Sequence, residues 1–280
     1  MKPISMFYGC CRRSKVTILA VFLGLTVFVF AQGPKPNDRA ASASASAATP
    51  VPVLVELFTS EGCSSCPPAD IILKRLDDFQ PISGAQLIVL SEHVTYWDQL
   101  GWKDPNSSPK FTDRQSSYER RLAIPEPYTP QFVIDGSQSV SLENLHALED
   151  ALNKAKENAK LPIAIRDVSL DPSNPTVVRA HIAVAANVEK HSADVYVALA
   201  LNHVESKVLR GENGGKQLVH VAVVQQLTKI GKLSNGKAFE EDIQLKVERP
   251  EGLENVRIVA LAQDPGPGKL LGAAMWKSAD

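Results

Sequence analysis

Apolar residues fall in two textures along the chain. Up to Lys160, short apolar runs alternate with stretches in which apolar residues recur every three or four positions. Val53–Phe58 (VLVELF) predicts a short apolar strand, and Gln86–Leu90 (QLIVL) a second one without the every-second-residue alternation of a half-solvated strand. Between them, ADIILKRLDDF places Ile71, Ile72, Leu76 and Phe79 near helical spacing. Pro67 and Pro68 suit the first turn of a helix, where a missing N–H costs nothing, so this helix is expected to start near Ser65 or Cys66. A second helix is predicted over Phe111–Leu122, capped by Ser108 or Thr112. A third is predicted over Ser141–Lys160, with Ser141 or Asn144 at its start and Leu142, Leu145, Leu148, Ala151 and Leu152 on one face. Between these two, YTPQFVIDGSQSV reads as two short strands joined by Asp135-Gly136, a tight-hairpin dipeptide.

The order β-α-β-α-β-β-α predicts a thioredoxin-like α/β domain over residues 52–160. After Leu161 the helical period disappears. IAIRDVSL, TVVRAHIAVA, ADVYVALAL, QLVHVAVVQQL, EDIQLKV, VRIVALA and LLGAAMW read as strands separated by turn-rich segments such as DPSNP and GENGG. Strands at this spacing predict an all-β, immunoglobulin-like sandwich over residues 161–280.

Ahead of both lies a segment with nothing to build a core. Lys2, Arg12, Arg13 and Lys15 flank an apolar run from Val16 to Ala31, so residues 1–31 read as a signal peptide or an N-terminal membrane anchor. Residues 32–51 are rich in Pro, Ala and Ser and predict a disordered linker. The expected location is therefore extracytoplasmic, with membrane contact only through an uncleaved N-terminal segment. Across 280 residues, 30 Lys and Arg nearly balance 31 Asp and Glu, which argues against nucleic acid as a partner.

Composition sharpens the chemistry. Of four cysteines, Cys10 and Cys11 precede the apolar run, so the exported part holds only Cys63 and Cys66, in ELFTSEGCSSCPP. A bridge across so short a loop removes little entropy from the unfolded chain and makes a poor staple. The C-x-x-C spacing does suit a redox pair: a thiolate attacks a disulfide sulfur and a neighbouring thiol resolves the mixed disulfide. Cys63, ahead of the helix, is expected to attack and Cys66 to resolve. Such chemistry needs sulfurs that a partner thiol or disulfide can reach. Thr129-Pro130, just before the predicted hairpin, is expected to be a cis-proline unit that shapes a groove for an extended peptide. Glu56 on the first strand is a candidate proton acceptor for Cys66. Glu61 sits closer to the thiols, where an ionised carboxylate raises a thiolate pKa. His93, at the end of the second strand, is a candidate proton shuttle or metal ligand. Tyr96, Trp97, Trp102, Tyr118 and Tyr128 are expected mainly in the core. The glycine-rich stretch containing Arg210, Glu212 and His220 is expected to be a structural turn.

The segments ELFTSEGCSSCPPAD, HVTYWDQLGWKDP, YTPQFVIDG and RGENGGKQLVHVAVV, in that order, resemble a family of secreted bacterial proteins, domain of unknown function 1223, described as thioredoxin-like. The resemblance runs from about Val53 to the end. It implies a thioredoxin-like domain followed by a β-rich segment, and no particular substrate. The leading expectation is an extracytoplasmic thiol–disulfide oxidoreductase with no bound cofactor beyond its own Cys63–Cys66 disulfide, acting on protein thiols or disulfides. The alternatives are a copper(I) carrier using Cys63, Cys66 and His93, because soft thiolates favour copper(I), and a non-catalytic binding protein.

Overall fold

In the computed structural model, which describes residues 49–186, 192–234, 236–247 and 253–278, the first half runs β1 (Val51–Thr59), α1 (Pro67–Phe79), β2 (Ala85–His93), α2 (Pro109–Leu122), β3 (Gln131–Ile134), β4 (Gln138–Ser141) and α3 (Leu145–Ala155). Seven strands follow: β5 (Ile163–Asp171), β6 (Asn174–Val184), β7 (Ala193–Lys207), β8 (Gln217–Leu233), β9 (Phe239–Lys246), β10 (Val256–Gln263) and β11 (Leu270–Lys277). The expected export segment and almost all of the linker lie outside the described residues. No helix among the described residues is long and apolar enough to cross a membrane.

Local chemistry explains the helix ends. Cys66 is the N-cap of α1, with Pro67 and Pro68 in the first turn. The Ser108 hydroxyl caps α2 by accepting from the Lys110 N–H, at 3.3 Å. Helix α3 starts at the second of its two candidate caps: the Asn144 side chain accepts from the Ala147 N–H at 2.9 Å. Between β3 and β4, Asp135 and Gly136 take φ of 49° and 60°, the left-handed pair that a two-residue hairpin demands.

The pairing of strands corrects the expected fold class. A thioredoxin-like domain followed by a separate immunoglobulin-like sandwich is not what forms. One mixed eight-stranded sheet, in the order β11-β10-β7-β8-β2-β1-β3-β4, takes strands from both halves of the chain. Strands β1 and β2 are parallel, β1 and β3 antiparallel. The outer edge of β2 is joined in parallel to β8 through Ser91 opposite Val223, and so the sheet continues instead of ending. Among the described residues β5, β6 and β9 form a second sheet, and its apolar face (Val178, Ile182, Ile243, Leu245) packs on Val195, Val197, Ile258 and Ala260 of the large one. The physical reason is the length of β7 and β8, at 15 and 17 residues. They are long enough to pack on the small sheet at one end and complete the β1–β2 sheet at the other.

Both faces of β1 and β2 are covered. Val53, Val55, Leu87 and Val89 pack with α1 and α3 residues including Leu73, Leu148 and Leu152. Leu54, Ile88 and Leu90 pack on the opposite face with Phe111 of α2 and with Val259, Leu261 and Ala273. The carboxyl ends of β1 and β2 carry the cysteine turn and His93, and the site is built there.

Candidate functional site

The turn from Ser60 to Cys66 joins β1 to α1. Cys63 and Cys66 form a disulfide with Cα atoms 5.4 Å apart. Backbone bonds shape the turn: the Cys63 N–H donates to the Ser60 carbonyl and the Cys66 N–H to the Cys63 carbonyl, both at 3.2 Å. Cys63 therefore lies a turn ahead of α1. Pro67 and Pro68 have no N–H, and the next two N–H groups, of Ala69 and Asp70, donate back to the Cys66 carbonyl. The helix start offers the sulfurs its dipole but no free donor.

Both cysteines are fully buried, while Ser64 and Ser65 between them are exposed. This corrects the expectation of solvent-reachable sulfurs. The Sγ of Cys63 lies 3.3 Å from the Ser65 hydroxyl and 3.9 Å from the Thr129 carbonyl oxygen. The Thr129–Pro130 peptide is cis, and the Thr129 hydroxyl accepts from the Trp97 indole N–H at 2.8 Å. Beside this contact opens a cavity of about 650 Å³ lined by Ser65, Tyr128, Thr129, Pro130, Leu142 and Glu143.

A buried polar cluster stands behind the turn. Asp104 is its hub. One carboxylate oxygen accepts from the Glu61 N–H at 2.8 Å and pairs with His93 Nδ1 at 2.7 Å; the other accepts from the Asn106 N–H at 2.8 Å. The Glu61 carboxylate accepts from the Trp102 indole N–H at 2.8 Å and from the Asn106 amide at 3.3 Å. The His93 ring meets His220 edge to face, with centroids 4.8 Å apart. His220 in turn lies 3.8 Å from Glu61 and 3.6 Å from Asp70 of α1. Burial opposes charge on His93, but Asp104, backed by Asp70 and Glu61, outweighs it and raises the imidazole above its ordinary pKa. Burial likewise opposes the Asp104 charge, yet His93 and the Glu61 and Asn106 N–H groups hold that carboxyl down at about 2. The contact, an ion pair when the imidazole is protonated, ties the end of β2 to the cysteine turn.

Glu56 is elsewhere. It points to the α2 face of β1, where the Arg114 guanidinium binds it at 2.5 Å and the Tyr118 hydroxyl donates to it at 2.6 Å. Its lone pairs are committed on the side of the sheet away from α1, so it is not placed to take a proton from Cys66. Beside it, Glu92 is fully buried and neither of its oxygens has a hydrogen-bond partner. Burial, and then the Glu56 charge, push the Glu92 carboxyl well above the ordinary range.

Of the residues singled out from sequence, Cys63, Cys66, Thr129 and Pro130 meet at one point. Glu61 and His93 belong to the cluster behind them, and Glu56 joins a different network. His93 is held by Asp104 and His220, and no group of three metal-ligating side chains comes together among the described residues. Two features had no sequence signal. Asp104 sits in a turn-rich loop without a recognisable motif. Asn213, in the glycine-rich stretch read as a plain turn, donates to the carbonyls of Glu61 and Cys63 at 2.9 and 2.8 Å. A signal did exist at a coarser level: the four segments that carry the family resemblance all converge on this end of the sheet.

Comparison with known proteins agrees with this architecture. A crystal structure of protein AGR_C_4864 from Agrobacterium tumefaciens is similar over 82% of this chain and 96% of its own, at 25% identity and a TM-score of 0.64, so the likeness spans both halves. A domain of the outer membrane lipoprotein Omp28 from Porphyromonas gingivalis matches 42% of the chain and 88% of its own, at 17% identity and a TM-score of 0.27. No curated protein is significantly similar. The profile of one family, described as protein of unknown function (DUF1223), matches residues 54–263, and the chain belongs to that family.

Proposed function

We propose that the protein carries out thiol–disulfide exchange outside the cytoplasm through Cys63 and Cys66. The observation that supports this reading most is the joining of the two cysteines, at a Cα separation of 5.4 Å, directly beside Thr129, Pro130 and an adjoining open cavity. A bridge that closes so short a loop contributes little to stability, so a staple is a weak account of it. The location rests on the basic and apolar N-terminal segment, and a disulfide persists best in an oxidising compartment.

The exchange balances as follows. The Cys63 thiolate attacks one sulfur of a client disulfide, that S–S bond breaks, and one client thiolate leaves. The Cys66 thiolate then attacks Cys63 Sγ, re-forming the Cys63–Cys66 bond and releasing the second client thiolate. The client gains two electrons and the protein loses two; each leaving thiolate takes its proton from solvent. Run backwards, the same steps oxidise a client dithiol. Protein thiols or disulfides are the partners, presented as an extended segment in the cavity along Thr129 and Pro130. Because both sulfurs are buried in the disulfide form, exchange requires the turn to open.

The test uses the full chain with oxidised glutathione as the probe. Reduced Cys66→Ala should accumulate a Cys63–glutathione mixed disulfide that mass spectrometry detects, while the wild type resolves it to the internal bridge. Should the folded wild-type disulfide resist excess dithiothreitol until the protein unfolds, the bridge is structural and the proposal fails.

A further inference from the structure

The cysteine turn is held from outside, by a loop some 150 residues away in sequence. Residues 208–216 connect β7 to β8 and are stiffened internally. The Val208 N–H donates to the Lys216 carbonyl at 3.0 Å, the Gly215 N–H to the Val208 carbonyl at 2.8 Å and the Gly214 N–H to the Gly211 carbonyl at 3.0 Å. At the loop's inner end Asn213 is fully buried and its carboxamide is fully used. Its amide donates both hydrogens to the turn, one to the Glu61 carbonyl (2.9 Å) and one to the Cys63 carbonyl (2.8 Å). Its side-chain oxygen accepts from Lys216 Nζ at 2.9 Å. Next to it the exposed Glu212 carboxylate accepts from the Ser64 N–H at 3.1 Å. Gly211 lies against Gly101 so closely that a Cβ on either glycine would crowd the other's loop, which locks this loop to the one carrying Trp102 and Asp104.

We infer that Asn213, seconded by Glu212, is a positioning residue for the Cys63–Cys66 pair: a clasp that holds the turn in the conformation with both sulfurs buried. The inference rests on the exchange reading above. A turn of this kind needs partners for its carbonyls and N–H groups. Here the carbonyls on both sides of Gly62 and the N–H after Cys63 find theirs in the 208–216 loop. Releasing Asn213 returns the Glu61 carbonyl to water, leaves the Cys63 carbonyl to the Cys66 N–H and loosens Cys63 so that it can swing outward, so the clasp sets how readily a partner reaches the sulfurs. It also weights the two redox states unequally, because the clasped turn is the one that accommodates the closed bridge.

The experiment measures two quantities on the full-length wild type, Asn213→Ala and Glu212→Ala: the rate of disulfide reduction by dithiothreitol, followed by quenching and alkylation, and the midpoint potential against glutathione. Asn213→Ala should be reduced at least tenfold faster and Glu212→Ala about threefold faster. The potential of Asn213→Ala should become less negative, about 30 mV for each tenfold shift in the equilibrium. A residue that only stabilises the fold would leave that potential where it is. If both variants are folded by near-ultraviolet circular dichroism yet keep the wild-type rate and potential, the clasp is refuted. Should Asn213→Ala not fold, the exposed Glu212→Ala decides the question alone by its rate. The exchange reading fails differently: a protein that Asn213→Ala opens to dithiothreitol, but which exchanges with no disulfide in either form, keeps the clasp and loses the function.

Discussion

Glu92→Gln should stabilise this protein, and increasingly so as pH rises. Glu92 is wholly buried with no hydrogen-bond partner for either oxygen. Arg114 stands 3.6 Å away and is already bound to Glu56, to Tyr118 and to Gln263. Two carboxylates facing one guanidinium leave an uncompensated negative charge, and the interior relieves it by protonating Glu92, whose carboxyl is raised first by burial and then by Glu56. The sign follows from linkage. With the folded pKa above the ordinary value of about 4.3, the native state binds the extra proton. That contribution is fully present below about pH 4.3 and is lost as pH climbs through the folded value. Within that window wild-type stability falls by about 1.4 kcal/mol per pH unit on account of this one group. For a folded region of this size that is about 3–5 °C per unit. Glutamine has nearly the same shape, stays neutral, and its amide can donate to Glu56. The assay is thermal or urea unfolding of both proteins at unit intervals from pH 4 to pH 8. The two should agree within about 0.5 kcal/mol at pH 4 and separate in favour of the glutamine variant as pH rises. A difference that does not change with pH, or a less stable variant at pH 7, would refute the reasoning.

Two further outcomes test the other buried charges. Asp104→Asn should destabilise by about 3 kcal/mol. His93, raised, contributes below its ordinary value of about 6.5 and loses that as pH rises; Asp104, held at about 2, contributes above about 3.9 and loses that as pH falls. The deficit should therefore be greatest between about pH 4 and 6.5, read as the difference between wild-type and variant melts. Arg257 of β10, 2% exposed, grips both oxygens of Asp77 at the end of α1 at 2.9 and 2.7 Å. Asp77→Ala takes the carboxylate away from that guanidinium, whose Nε still donates to the Asn202 side-chain oxygen at 2.7 Å, and should cost about 3 kcal/mol in urea unfolding, whereas replacing the pair together by Leu and Met should restore most of it. A single-variant cost under about 1 kcal/mol would mean that the pair is solvated.

How much of this was readable in advance differs from element to element. The apolar runs VLVELF and QLIVL mark strands, and Asp135-Gly136 marks its hairpin, because each is a local property of neighbouring residues. Pro67-Pro68 placed the start of α1 within a residue or two. The buried face of that helix is narrower than its apolar spacing: Ile71 and Phe79 share the spacing, yet they are 55% and 74% exposed, and Ala69 and Leu73 are buried beside Leu76. Spacing shows that a helix has an apolar side but not how wide a strip its neighbours cover. Cys63 and Cys66 were paired by their spacing alone, while their burial was not foreseeable, because the groups around them come from Thr129 and from the loop holding Asn213.

What the sequence determined by itself, then, is the set of elements, their order, and a cysteine pair at the junction of the first strand and helix. Only the tertiary structure decided that β2 continues into β8, that Glu56 faces away from the sulfurs, and that Asn213 clasps the cysteine turn. The reason is physical. Patterns of apolar residues record which side chains leave water, but strand edges join through backbone N–H and C=O groups that are the same at nearly every position. A long-range partner for a carbonyl therefore leaves almost no mark on the residues beside it.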